Sequence, residues 1–176
     1  MLIAQLTDTH ITRPGELAYG VVDTAACLER VVAAIGRLAP PPDIVVVTGD
    51  LVDHGVAEEY EQLRQLLAPL PMPVFVIPGN HDARGPLRAA FGGDGYLPRE
   101  GFLHYTVEEW PLRLVALDTL VPGEVGGTLC EERLGRAFAK LDETTVADLL
   151  RALRALIGAS VDATTGTQTN KQRRSA

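Results

Sequence analysis

Three short apolar segments, each running straight into a polar block, constrain this chain more than any other feature of it. Leu2 to Thr7 ends in Asp8-Thr9-His10, Asp43 to Thr48 ends in Gly49-Asp50-Leu51-Val52-Asp53, and Val74 to Ile77 ends in Pro78-Gly79-Asn80-His81-Asp82. The segments are short and rich in β-branched residues, the pattern of strands buried in a sheet. Between them lie stretches of helical spacing. Val21 to Leu38 carries Ala25, Leu28, Val31, Val32, Ile35 and Leu38 and is stopped by Pro40-Pro41-Pro42, and Glu58 to Leu67 carries Tyr60, Leu63 and Leu67 on one face. Strand, helix, strand, helix, strand predicts a parallel sheet with right-handed crossovers. The carboxyl ends of such strands lie along one edge, where ligands bind. Asp8, His10, Asp50, Asn80 and His81 are therefore expected in one crevice, although about 70 residues of chain separate the first from the last.

The remaining chain is less informative. Phe102 to Val107 and Leu112 to Asp118 read as two more strands, able to pair as a hairpin. From Glu131 to Ile157 the spacing is helical, with Leu134, Phe138, Leu141, Leu149, Leu153 and Leu156 roughly on one face. After Val161 no large apolar residue remains, and a disordered tail is expected over 161–176.

Composition narrows the classes. With 176 residues, 46% hydrophobic and 22% charged, the chain is expected to form one soluble domain with a real core. No apolar run approaches the ~20 residues that cross a bilayer, and Met1 leads into Leu2-Ile3-Ala4 without a basic leader, so a cytoplasmic protein is expected. Cys27 and Cys130 are too few for a disulfide framework or a thiolate metal site and read as reduced thiols. A net charge of −7 argues against a nucleic-acid partner. That charge is unevenly spread: residues 1–134 hold 9 basic and 19 acidic residues, and residues 135–176 hold 7 and 4.

Two carboxylates, an imidazole and a carboxamide make a mixed oxygen and nitrogen donor set, suited to manganese, iron, zinc or a similar divalent ion. A second imidazole, His81, is then available to protonate a leaving group. Each block alone has an ordinary alternative, such as a capping Asp8, a surface His10 or a simple turn at Gly49-Asp50. It is their order, each at a strand end, that points to metal-dependent chemistry.

The three blocks resemble the signature of the calcineurin-like metallophosphoesterase family: Asp-x-His, then Gly-Asp-x-x-Asp about 40 residues on, then Gly-Asn-His-Asp about 30 further. Gly20-Val-Val-Asp-Thr24, Thr48-Gly-Asp-Leu-Val-Asp53, Arg84 after Pro78-Gly-Asn-His-Asp82, and Leu117-Asp-Thr119 with Pro122-Gly-Glu look like its class III cyclic nucleotide phosphodiesterase branch. The resemblance implies a metallophosphatase-type α/β sandwich, two sheets flanked by helices, present here as its N-terminal portion. Residues 1–134 would form that incomplete domain, 135–160 a helical segment and 161–176 the tail. It further implies Asp8, His10 and Asp50 as ligands of one ion, Asp50 bridging to a second held by Asn80, and His81 as the catalytic histidine. The implied substrate is a small phosphodiester, including 3',5'-cyclic nucleotides. Asp53 and Asp82 are expected to support loop geometry, and His54 and His104 have no place in the pattern. Arg84 is expected either on a substrate phosphate or in an ion pair with Asp82 or a neighbouring acid.

The family pattern continues with a further ligand histidine and a Gly-His-x-His block, but the four histidines here are 10, 54, 81 and 104. The expectation is therefore a truncated chain whose second metal site keeps only Asp50 and Asn80. Apolar sheet surface would lie open and invite a homodimer. Two functions are compatible with this pattern: a phosphodiester hydrolase, or a non-catalytic remnant binding at most one divalent ion weakly.

Overall fold

The computed structural model describes residues 1–131, 133 and 135, all within a compact unit Met1–Ala137. Of the helix expected over Glu131 to Ile157 only Glu131, Arg133 and Gly135 are described, and these are helical; the rest of it and the tail over 161–176 lie outside the described residues. Three strands, β1 (Ile3–Leu6), β2 (Ile44–Thr48) and β3 (Val74–Ile77), form a parallel sheet in the order β1-β2-β3. Its register places Ile3 opposite Ile44 and Val45 opposite Val74. Two helices make the crossovers, α1 (Thr24–Ile35) and α2 (Ala57–Leu67). Sequential order with right-handed crossovers puts both on one face of the sheet, and they touch each other.

Burial follows the residue pattern. Ile44, Val45 and Val47 are inaccessible to solvent, as expected of a central strand, and they meet Leu28, Val32 and Ile35 of α1 and Tyr60, Leu63 and Leu67 of α2 in one core. β1 departs from expectation. Among the described residues it is paired on one side alone, and Ile3 and Gln5 are exposed while Ala4 and Leu6 are partly covered. α1 also ends earlier than the spacing suggests. The Gly36 backbone caps it, and Leu38, beyond the last turn, is exposed, as is Val31 on the outer face.

Capping explains where the helices begin. The Asp23 carboxylate accepts from the Ala26 N–H at 2.8 Å and starts α1. Glu59, in the first turn of α2, is fully buried, and its carboxylate reaches back to the N–H groups of His54 and Val56 at 2.9 and 3.4 Å.

A third helix, α3 (Arg84–Phe91), is one that apolar spacing does not announce. It is short, its first turn holds Gly85 and Pro86, and it presents just two buried residues, Leu87 and Phe91, one turn apart. A 3-10 turn, Gly92–Asp94, comes directly after it. The expected hairpin forms from β4 (Tyr105–Val107) and β5 (Leu114–Ala116), paired antiparallel. Two tyrosines dress the outer edge of β3. The Val76 N–H donates to the Tyr96 hydroxyl at 3.1 Å, and the Tyr105 hydroxyl donates to the Val76 carbonyl at 2.9 Å.

Candidate metal centre

Past the ends of β1 and β2 the two chains stay paired, and that pairing builds the site. Asp8 N–H donates to the Gly49 carbonyl, His10 N–H to that of Asp50 and Ile11 N–H to that of Leu51, while Asp53 N–H returns a bond to the Ile11 carbonyl, all at 3.0–3.1 Å. Within this zipped segment Asp8, His10 and Asp50 sit at φ +53°, +41° and +46°. Aspartate and histidine are among the few residues with a side chain that enter the left-handed region at modest cost. The conformation turns the backbone off the strand and brings three ligand-type side chains together. One donor atom from each of Asp8, His10 and Asp50 lies within 4.8 Å of the others, with His10 Nε2 3.8 Å from Asp50 Oδ2.

The loop after β3 closes against this pair. Gly79 is required there, because a Cβ on it would sit 2.3 Å from both the N and the Oδ1 of Asp50. That close approach lets the His81 N–H donate to Asp50 Oδ1 at 3.0 Å and stacks the His81 ring edge-on to that of His10, centroids 4.6 Å apart. Asn80, also expected in the centre, is exposed in this loop. Asp82 is buried and holds the loop from beneath. It accepts from Gly79 N–H at 2.8 Å, Leu51 N–H at 3.1 Å and the Tyr60 hydroxyl at 2.8 Å, and the Tyr60 oxygen in turn accepts from Ala83 N–H. Burial pushes the Asp82 carboxyl up to about 6, against the lowering effect of those donors.

Asp53 does more than shape its loop. Its Oδ1 lies 3.1 Å from His10 Nδ1, and its backbone carbonyl accepts from His81 Nδ1 at 2.8 Å. Each imidazole is thus tied at Nδ1, which leaves Nε2 as the working nitrogen of both rings. His10, Asp53 and His81 form a second group with donor atoms within 4.8 Å of one another. The sequence signal was the second carboxylate of Gly-Asp-x-x-Asp. Its target depends on the register between loops 43 residues apart, which spacing alone does not reveal.

The other residues singled out are not among these grouped ligands, although His54 Nε2 lies 3.6 Å from Asp53 Oδ2. His54 bonds to Glu59, Nδ1 to Oε1 at 2.9 Å; that bond, against a smaller desolvation effect, raises its pKa above 6.5. His104 is buried, and its Nδ1 accepts from Asp118 N–H. Arg84 resolves to an ion pair with a neighbouring acid: its Nε and Nη2 donate to the two oxygens of fully buried Asp118 at 2.6 and 2.7 Å. Its guanidinium also lies over the Phe102 ring, as does that of Arg133. Burial pushes the Asp118 carboxyl up, but the Arg84 bonds and charge, with the N–H groups of Leu103 and Leu120, outweigh it and hold the carboxyl below its usual value.

Residues 1–152 match the model of the calcineurin-like phosphoesterases. The chain belongs to that family. The match runs past residue 134, where the resemblance read from the sequence ends. Among its relatives is a protein named as a probable glycerophosphodiester phosphodiesterase from Arcobacter nitrofigilis, 38% identical over 134 residues, covering 76% of this chain and 49% of the relative. Another is named as a 3',5'-cyclic adenosine monophosphate phosphodiesterase from Pseudomonas aeruginosa, 35% identical over 134 residues, covering 76% and 47%. The chain spans about half the length of these relatives. Its fold is that of the calcineurin-like metallophosphatases. A purple acid phosphatase from yellow lupin seeds superposes with a TM-score of 0.50 at 16% identity, over 80% of this chain and 28% of that one. No helix among the described residues is long and apolar enough to cross a membrane.

Proposed function

We propose that this chain is a metal-dependent phosphodiester hydrolase. The observation that carries the reading is the convergence of Asp8, His10 and Asp50 within 4.8 Å, with His81 bonded through its backbone to the same Asp50. The donor chemistry fits a divalent cation, since two carboxylates and an imidazole tied at its other nitrogen suit manganese, iron or zinc. Asp8, His10 and Asp50 would hold one ion, and Asp50 with Asn80 a second. Bound there, divalent ions supply positive charge against the oxygens of a phosphoryl group.

The protein's own contribution is to hold these groups and move one proton. Asp50 fixes the His81 backbone by accepting its N–H. The Asp53 carbonyl accepts from Nδ1–H of the same ring, which leaves Nε2 to act: the doubly protonated ring gives its Nε2 proton to the departing alkoxide and is left neutral with Nδ1–H still bonded. We assign residues 1–134 to this function and take the substrate to be a small phosphodiester. The names of the relatives favour a glycerophosphodiester or a 3',5'-cyclic nucleotide over a nucleic acid. A cytoplasmic setting and a homodimer belong to the same reading.

The rival reading is a non-catalytic remnant. It is favoured by the absence of any histidine after His104, which leaves Asp50 and Asn80 alone for a second ion. The experiment is hydrolysis of an aryl phosphodiester by the purified chain with added manganese. Turnover that disappears in both Asp50→Ala and His81→Ala supports the hydrolase. Folded, manganese-bound protein with no turnover above those variants supports the remnant.

A further inference from the structure

Asp53 stands among three of the chain's four histidines. Its Oδ1 lies 3.1 Å from His10 Nδ1 and 3.8 Å from His81 Nδ1, and its Oδ2 lies 3.6 Å from His54 Nε2. In His10, Asp53 and His81, as in Asp8, His10 and Asp50, one donor atom of each residue lies within 4.8 Å of the others. His54 stays outside the trio, its Nδ1 tied to Glu59. The two groups share His10 and differ in kind. Asp8, His10 and Asp50 offer two oxygens and a nitrogen, whereas His10, Asp53 and His81 offer two nitrogens and an oxygen.

The spacing of the second trio fits an ion. Zinc holds imidazole nitrogens and carboxylate oxygens at about 2.0–2.2 Å, so two ligands of a tetrahedral ion lie about 3.4 Å apart. The two distances from Asp53 Oδ1 to the Nδ1 atoms, 3.1 and 3.8 Å, fall on either side of that value. All three side chains are partly covered and none is sealed from solvent, so an ion can reach them. Three protein ligands with the rest of the sphere open is the make-up of an accessible zinc site.

We propose that His10, Asp53 and His81 form a separate cation position for a nitrogen-preferring divalent ion such as zinc, in competition with manganese at Asp8, His10 and Asp50. Imidazole donors favour zinc and copper, and carboxylates favour manganese. An ion bound at both Nδ1 atoms takes the place of their protons, which move to Nε2 of each ring. Nε2 of His10 then carries hydrogen and has no lone pair for the first position, so the two positions fill one at a time. His81, bound at Nδ1, can no longer become doubly protonated and is lost as a proton donor. Zinc is thus an inhibitor of the manganese-loaded chain. That consequence rests on the hydrolase reading, whereas the position itself does not.

The test uses the full 176-residue chain and its His81→Ala variant, which keeps the backbone N–H that Asp50 accepts. Each is loaded with manganese and titrated with zinc, the released manganese being followed by electron paramagnetic resonance. Zinc should release manganese from the native chain at close to one equivalent. His81→Ala should bind manganese as the native chain does, yet need about 100-fold more zinc to release it, at least the upper end of what losing a supporting partner costs. Copper(II) in place of zinc should show two nitrogen ligands in the native chain and one in the variant. Equal release from both chains, or a single copper-bound nitrogen in the native chain, puts zinc at the first position and overturns the proposal. Zinc bound beside retained manganese overturns it too. If the folded chain binds neither ion, the second position falls together with the metal-dependent reading. Zinc behaving as expected in a chain that shows no turnover with manganese leaves the position standing and overturns the hydrolase reading alone.

Discussion

Replacing Gly79 by alanine tests the idea that the centre is built by close approach of two loops. The added Cβ would lie 2.3 Å from Asp50 N, 2.3 Å from Asp50 Oδ1 and 2.9 Å from Gly49 Cα. To reach even the 3.0 Å limit of real Cβ contacts, the loops must part by about 0.7 Å, and two of the three obstacles are backbone, which no rotamer change relieves. The movement pulls on the His81 N–H to Asp50 Oδ1 bond at 3.0 Å and the Gly79 N–H to Asp82 bond at 2.8 Å. Overpacking at so unyielding a position should cost about 3 kcal/mol, the upper end of its usual range. Misplacing Asp50 and His81 by nearly an ångström should lower any turnover by about 100-fold. Gly85→Ala is the control, because a Cβ there meets nothing within 4 Å and the residue is helical, so alanine should stabilise by ~0.5–1 kcal/mol. Urea denaturation of both variants, with manganese titration of each, gives the comparison. If Gly79→Ala matches the native chain in stability and manganese affinity, the claim that this approach positions Asp50 is wrong.

Three further outcomes are expected. Asp53→Ala removes the carboxylate at His10 Nδ1 but keeps the carbonyl that holds His81, so manganese affinity should fall about 10–100-fold, as calorimetry would show, with the His81 ring still in place by NMR. Asp118→Asn breaks a buried pair with Arg84 and should cost about 3 kcal/mol in urea denaturation at neutral pH. Because the native Asp118 carboxyl is held below its unfolded value, the native chain should also lose stability as pH falls below about 4. The variant should lack that component of acid sensitivity. Glu59→Gln removes the charge that raises the His54 pKa, so an NMR titration should show its midpoint falling back toward 6.5. In stability terms the native His54–Glu59 contribution is present below 6.5 and lost as pH rises through the raised value.

The sequence made the frame of the centre legible because the frame is local. β-branched runs declare the strands, and the residues just past each strand end must lie on one edge of a parallel sheet. Asp8, His10, Asp50 and His81 needed nothing else to be brought together. Contacts that depend on register between distant loops were opaque. Asp53 reaches His10 across 43 residues and Arg84 finds Asp118 across 34, and each had other acids or bases nearer in the chain. α3 escaped because eight residues opening on Gly85 and Pro86 carry too few apolar positions to show a period. β1 misled in the opposite direction, since an apolar hexapeptide looks the same at the edge of a sheet as in its middle.

The two hydroxyls on Val76 give the sheet a direction of growth. A phenol can both offer and receive a hydrogen bond, and here one ring does each, so a backbone unit that would template another strand is already occupied. An incoming chain finds no vacancy at Val76, whereas β1, among the described residues, has a strand neighbour on one side alone. Among the described residues, strand addition is thus blocked at Val76 and has an open flank at β1. Phenylalanine at 96 would free the Val76 N–H and phenylalanine at 105 its carbonyl, so only the two changes together would leave that backbone unit open to another strand.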